Sequence, residues 1–124
     1  MSKAVAGAVV GGGRGRRVIH VLDVARVHGE SLDRYLQVLL EEYLPGARQR
    51  GLRLEGVWRT PPEVEPPSVT VLWAVDGWED WARARSLASL DAAVAACARR
   101  LRELCIDSGR QFLLPVDSAT AAPR

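Results

Sequence analysis

The stretch Val18-Ile19-His20-Val21-Leu22-Asp23-Val24-Ala25-Arg26-Val27 is rich in β-branched residues and is bounded by Gly15 and Gly29, so it predicts a strand. Side chains on a strand alternate between faces. One face therefore carries Val18, His20, Leu22 and Val24, and the other Ile19, Val21 and Ala25. Both faces are apolar, which suits a strand covered on two sides.

Working outward, Ser31 stands as an N-cap before Leu32, Leu36, Leu39, Leu40, Tyr43 and Ala47, whose spacing of three and four residues makes one helical face. Pro45 interrupts that face, so the helix should kink or restart near Leu44, and Gly51 closes it. A second strand is expected over 52–60 and a third over 68–75. The four prolines between 61 and 67 make a stiff, exposed hairpin connection. Asp76-Gly77-Trp78-Glu79 has the form of a capping box and starts a second helix, with Trp78, Trp81 and Ala82 turned inward. That helix bends near 86–89. Leu90, Ala93, Val94, Cys97, Leu101 and Leu104 continue the pattern beyond the bend. Asp107-Ser108-Gly109 is read as a turn before a last strand over 111–116.

The element order is βαββαβ, the α+β signature of the ferredoxin-like fold: a four-stranded antiparallel sheet with both helices on one face. Helices cover only one side of a first strand that is apolar on both. A second copy of the same sheet is the simplest cover for the other, which predicts a homodimer closed as a dimeric α/β barrel. The domain is expected over 18–116. A glycine- and arginine-rich tail at 1–17 and a small alanine-rich tail at 117–124 are expected to be flexible.

A length of 124 residues accommodates one core, and 48% hydrophobic with 26% charged residues matches a folded globular chain. Of the 17 basic residues all but Lys3 are arginine. Acids are interspersed among Arg83, Arg85, Arg99, Arg100 and Arg102, so they read as a solvated helix face and no nucleic-acid partner is expected, Arg14, Arg16 and Arg17 notwithstanding. Gly11 and Gly13 lack the third glycine of a dinucleotide fingerprint, and a strand follows them where that motif needs a helix. No apolar run reaches the roughly 18 to 20 residues of a membrane span, and 4–10 is too short for a secretory segment, so no membrane partner and a cytoplasmic location are expected. Cys97 and Cys105 read as reduced core thiols. No spacing of histidine, cysteine and carboxylate points to a metal.

Three segments, taken in order, resemble the NIPSNAP-like members of the dimeric α/β barrel superfamily: the helix-one run from Glu42 through Leu44-Pro45 to Gly51, then Gly56-Val57-Trp58, and the run from Val71 through Trp73, Trp78 and Trp81 to Arg85. The similarity covers about residues 18 to 116. One departure stands at 86–91, where the family's aromatic is missing.

Several residues invite chemistry. His20, inside a strand beside Val18 and Leu22, is either a shielded general acid or base or a packed, hydrogen-bonded core or dimer-interface histidine. Trp58 and Trp73 are either sheet core or pocket walls, and Gly56 leaves room beside Trp58. Asp23 would be costly to bury alone, and an ion-pair cluster with Arg53, Glu55 and Arg59 is the expected partner set. The resemblance implies a small enzyme acting, without a tightly bound cofactor, on a hydrophobic aromatic or polyketide-like metabolite, as a cyclase, isomerase or cofactor-independent monooxygenase. It would use His20 and Tyr43 in catalysis, with Tyr35, Trp58, Trp73 and Arg59 holding substrate. The alternative is a non-catalytic dimeric module that binds a small molecule or a protein.

Overall fold

Strand β1 (Ile19–Val27) lies between β3 (Ser68–Val75) and β4 (Cys105–Leu113), and β2 (Arg53–Arg59) pairs with the far side of β3. The computed structural model describes residues 17–116; all but Arg17 of the two expected tails lies outside the described residues. All three pairings are antiparallel, in the order β2-β3-β1-β4. This is the ferredoxin-like sheet that the element order predicts.

Ile19, Val21, Ala25 and Val27 of β1 and Val69, Val71, Trp73 and Val75 of β3 form the buried inner face. Against it pack Leu32, Tyr35, Val38, Leu39, Leu44 and Ala47 from the first helical layer, and Ala84, Cys97 and Leu101 from the second. On the opposite face His20, Leu22 and Val24 of β1 and Thr70 and Leu72 of β3 are partly open.

The first helical layer departs from a simple kinked helix. A 3-10 turn (Gly29–Ser31) leads into α1 (Leu32–Gln37), then a π-helical turn (Val38–Tyr43), then α2 (Leu44–Gln49). Ser31 makes no side-chain cap; the 3-10 turn runs directly into α1, with the Ser31 N–H donating to the His28 carbonyl and the Leu32 N–H to the Gly29 carbonyl. Pro45 explains the π turn. Proline cannot donate to the preceding turn, and widening the ladder, with the Leu44 N–H donating to the Leu39 carbonyl, carries the chain into a fresh helix whose first turn holds the proline. Gly51, at φ 100°, ends α2, as expected. The Leu52 N–H reaches the Ala47 carbonyl and the Gly51 N–H that of Arg48, the paired bonds of a Schellman stop.

Helix α3 (Trp78–Ser89) is not capped by Asp76, which pairs instead with Arg53 at 2.9 Å. Gly77, at φ 97°, takes the cap position. The cap that does form belongs to α4 (Ala92–Glu103), where the Asp91 carboxylate accepts from the Ala93 and Val94 N–H groups. Strand β4 begins at Cys105, six residues earlier than the sequence suggests. Asp107, Ser108 and Gly109 are strand rather than turn, opposite Arg26, Ala25 and Val24. Asp107 accepts from Arg26 directly across the pair, which gives the polar run a reason to stay extended.

Each edge strand carries one extra residue, Glu55 in β2 and Ile106 in β4. The bulge at Glu55 flips the faces. Leu54 and Val57 point to the helices, whereas Gly56 and Trp58 sit opposite Leu72 and Thr70 on the outer face.

Candidate functional site

Two adjoining cavities of about 370 and about 350 Å³ lie between the inner face of the sheet and the two helical layers, and both are walled by Tyr43, Trp73, Ala98, Arg102 and Arg110. The first also reaches Asp23, Tyr35, Leu39 and Cys105, and the second Arg50, Trp81, Arg85 and Val94. The missing aromatic at 86–91 falls here. Ala88 and Ser89 line the second cavity in its place.

Asp23 is the polar centre. It interrupts the apolar inner stripe of β1 directly opposite Arg110 of β4. Arg110 Nε donates to Oδ1 at 2.7 Å and its Nη2 to Oδ2 at 3.0 Å, while the Trp73 indole N–H donates to Oδ2 at 3.1 Å. A two-pronged guanidinium and an indole donor satisfy the carboxylate at a site where its side chain is 27% exposed. Asp23 therefore finds its partner on β4, not in a cluster with Arg53, Glu55 and Arg59. That cluster does not form: Arg53 pairs with Asp76, and Arg59 donates to the Thr60 carbonyl.

Aromatic rings surround the pair. The Arg110 guanidinium stands 4.9 Å from the Trp81 ring centre, and Phe112 packs on Trp78 and Trp81 with centroids 5.3 Å away. Tyr43 meets Trp73 edge-on at 6.4 Å and carries Arg50 over its ring at 5.7 Å. Among the described residues the Tyr43 hydroxyl has no hydrogen-bond partner. Burial pushes the Tyr35 hydroxyl well above its ordinary pKa of 10.0, helped by neighbouring Cys105, Asp23 and Tyr43, so Tyr35 is a neutral group in this cavity. Burial likewise raises the thiols of Cys97 and Cys105, and Cys105 Sγ donates to the Leu101 carbonyl at 3.1 Å. Neither cysteine has the lowered pKa of a nucleophile. Arg110 is held charged chiefly by its bonds to Asp23.

The expected site residues thus separate. Tyr35, Tyr43 and Trp73 line the cavities together. His20 lies on the outer face, between Ala74 and Leu113, and does not line them. Trp58 is 54% exposed on that same outer face, because the Glu55 bulge shifts its parity. The room beside it left by Gly56 is filled by the Trp58 ring, whose edge a Cβ at Gly56 would strike. Arg59 ends β2 at the sheet edge, away from both cavities. Among the described residues no three histidine, cysteine or acidic side chains converge as metal ligands, and no helix is long and apolar enough to cross a membrane.

Sheet order and one-sided helices define the chain as a ferredoxin-like α+β protein, a fold it shares with NIPSNAP family proteins and with antibiotic-biosynthesis monooxygenase-like proteins. Its neighbours among solved structures include NIPSNAP family proteins. One from Agrobacterium tumefaciens is 25% identical with a TM-score of 0.70, over 85% of this chain and 91% of that one. A NIPSNAP-like domain protein from Burkholderia xenovorans is 21% identical with a TM-score of 0.71, over 87% and 90%. SnoaB, a cofactor-independent oxygenase from Streptomyces nogalater, shares the fold at 16% identity and a TM-score of 0.59, over 81% and 94%. No family model matches the sequence, and no curated protein matches it.

Proposed function

We propose that this chain is a small enzyme that takes a hydrophobic, planar metabolite into the inner cavity and polarises an oxygen of it without a tightly bound cofactor. The observation that carries the reading is the Asp23, Arg110 and Trp73 cluster, set beside a Tyr43 hydroxyl that has no partner among the described residues, within aromatic walls. Tyr43 donates a hydrogen bond to a ligand carbonyl, and Arg110 supports the negative charge that develops there. Asp23 is a positioning residue that holds Arg110 and the Trp73 indole. Stabilising an enolate formed when an acidic C–H of the ligand loses its proton to water serves cyclisation, isomerisation and oxygenation without a cofactor, and the fold shared with SnoaB favours the last. The chain works as a homodimer, the open outer face with Leu22, Leu72 and the exposed Trp58 and Leu113 resting on a second copy.

One observation favours a second reading. Asp23 already accepts three hydrogen bonds, so the cavity offers no unencumbered strong base, as suits a module that binds without reacting. Oxygen uptake with anthrone, a planar ketone that reacts with O2 through its enolate, separates the two. An enzyme consumes O2 above the protein-free rate and loses about tenfold or more of that excess in Tyr43→Phe. Binding of anthrone with no added uptake leaves the non-catalytic module, and no binding removes both.

A further inference from the structure

Among the described residues the second cavity is lined by four arginines, Arg50, Arg85, Arg102 and Arg110, and by no acidic residue. Asp23 balances Arg110 alone. Among the described residues Arg50, Arg85 and Arg102 form no ion pair, while nearby acids are committed elsewhere, Asp80 to Arg83 and Glu42 to Arg100. Arg50 and Arg85 rest against the rings of Tyr43 and Trp81, each 5.7 Å from the ring centre, which holds both guanidinium groups beside flat apolar surface. Three uncompensated positive charges thus border a space of about 350 Å³ whose remaining walls are Leu52, Trp81, Ala84, Val94 and similar small or apolar groups.

We propose that this second cavity is an oxyanion subsite, and that the ligand carries a carboxylate or phosphate on its planar apolar body. The proposal rests on the reading of the inner cavity as a hydrophobic ligand site and adds the charge of the ligand to it. Positive charge concentrated in a cleft with low-dielectric walls raises the local concentration of anions, and guanidinium groups match the geometry of carboxylate and phosphate oxygens. The planar body lies over Tyr43 and Trp73, toward Asp23 and Tyr35, and its anionic head faces Arg85 and Arg102.

Calorimetric titration of the purified full chain with 2-naphthalenemethanol, 2-naphthoate and 2-naphthyl phosphate tests this. The neutral alcohol reports on the apolar cavity, and the two anions on the subsite. An anion should bind about tenfold tighter than the alcohol, and Arg85→Gln and Arg102→Gln should each take back about threefold of that advantage, with the alcohol's affinity unchanged in Arg85→Gln, whose side chain lines the second cavity alone. The advantage should shrink as salt rises. Whichever anion gains more identifies the head group. Circular dichroism of the exposed Arg85 and Arg102 variants checks that they fold. Equal binding of alcohol and anions, or an anion preference that both variants retain, overturns the subsite while the hydrophobic cavity stands. Binding of none of the three overturns both.

Discussion

The two faces of this sheet use tryptophan in opposite ways. On the inner face Trp73 is 3% exposed, its indole N–H is spent on Asp23, and Tyr43 abuts its ring. On the outer face Trp58 is 54% exposed and lies over Gly56. A large ring with its polar atom satisfied is core and cavity wall together, whereas a large ring left half open on a sheet marks surface that something else covers. The difference sets the inner face, where a ligand cavity is proposed, apart from the outer face, where a second copy is proposed to rest.

Removing each ring is the strongest way to break that contrast. Trp73→Ala empties the inner face and frees the Asp23 oxygen, and should cost about 3–5 kcal/mol in urea unfolding. Trp58→Ala should cost under about 1 kcal/mol at concentrations where the chain is monomeric. Similar losses at both positions would dissolve the distinction. Next in size is the polar pair. Asp23→Ala strands the Arg110 guanidinium and the Trp73 N–H at a half-buried site, an expected loss of about 2 kcal/mol, against less than about 0.5 for His20→Ala on the outer face.

Titration of Tyr35 sharpens the comparison further. Because burial raises its pKa above 10.0, the folded chain keeps a proton that the unfolded chain surrenders. The stability this confers is complete below pH 10 and declines above it, by at most about 1.4 kcal/mol per pH unit. Tyr35→Phe should flatten the fall of unfolding free energy between pH 10 and 11.5. An unchanged slope would mean that the hydroxyl is not shielded.

How much of this was legible in the sequence follows the same division. Both apolar stripes of β1 and the boundaries of β3 could be read directly, since β-branched alternation is a local property. The restart at Leu44 and the stop at Gly51 were legible because proline and glycine act on their own backbone. The centre of the site was not. Asp23 stood in plain view as the one carboxylate among Ile19, Val21, Ala25 and Val27, but its partner Arg110 directly follows Asp107-Ser108-Gly109, a segment that composition reads as a turn and only pairing with β1 makes a strand. Trp58 was misplaced for a related reason. A bulge is a property of two strands in register, so counting alternate residues along β2 alone put Leu54 and Trp58 on one face when Glu55 separates them.

That bulge gives the smallest and most specific test. A methyl group at Gly56 would strike the edge of the Trp58 ring, while Gly56 has no positive φ that would penalise alanine on its own account. Gly56→Ala in the native background should therefore force the indole off the strand and cost about 1 kcal/mol, with a shift in tryptophan fluorescence as the ring enters water. In a Trp58→Ala background the obstacle is gone, and the same substitution should be neutral or slightly stabilising, because alanine restricts the unfolded chain more than glycine does. A double-mutant cycle thus expects a coupling of about 1 kcal/mol between two residues on one face. If Gly56 and Trp58 prove additive, the ring does not lie on the glycine, and the room beside Gly56 is free for a ligand or for a second sheet.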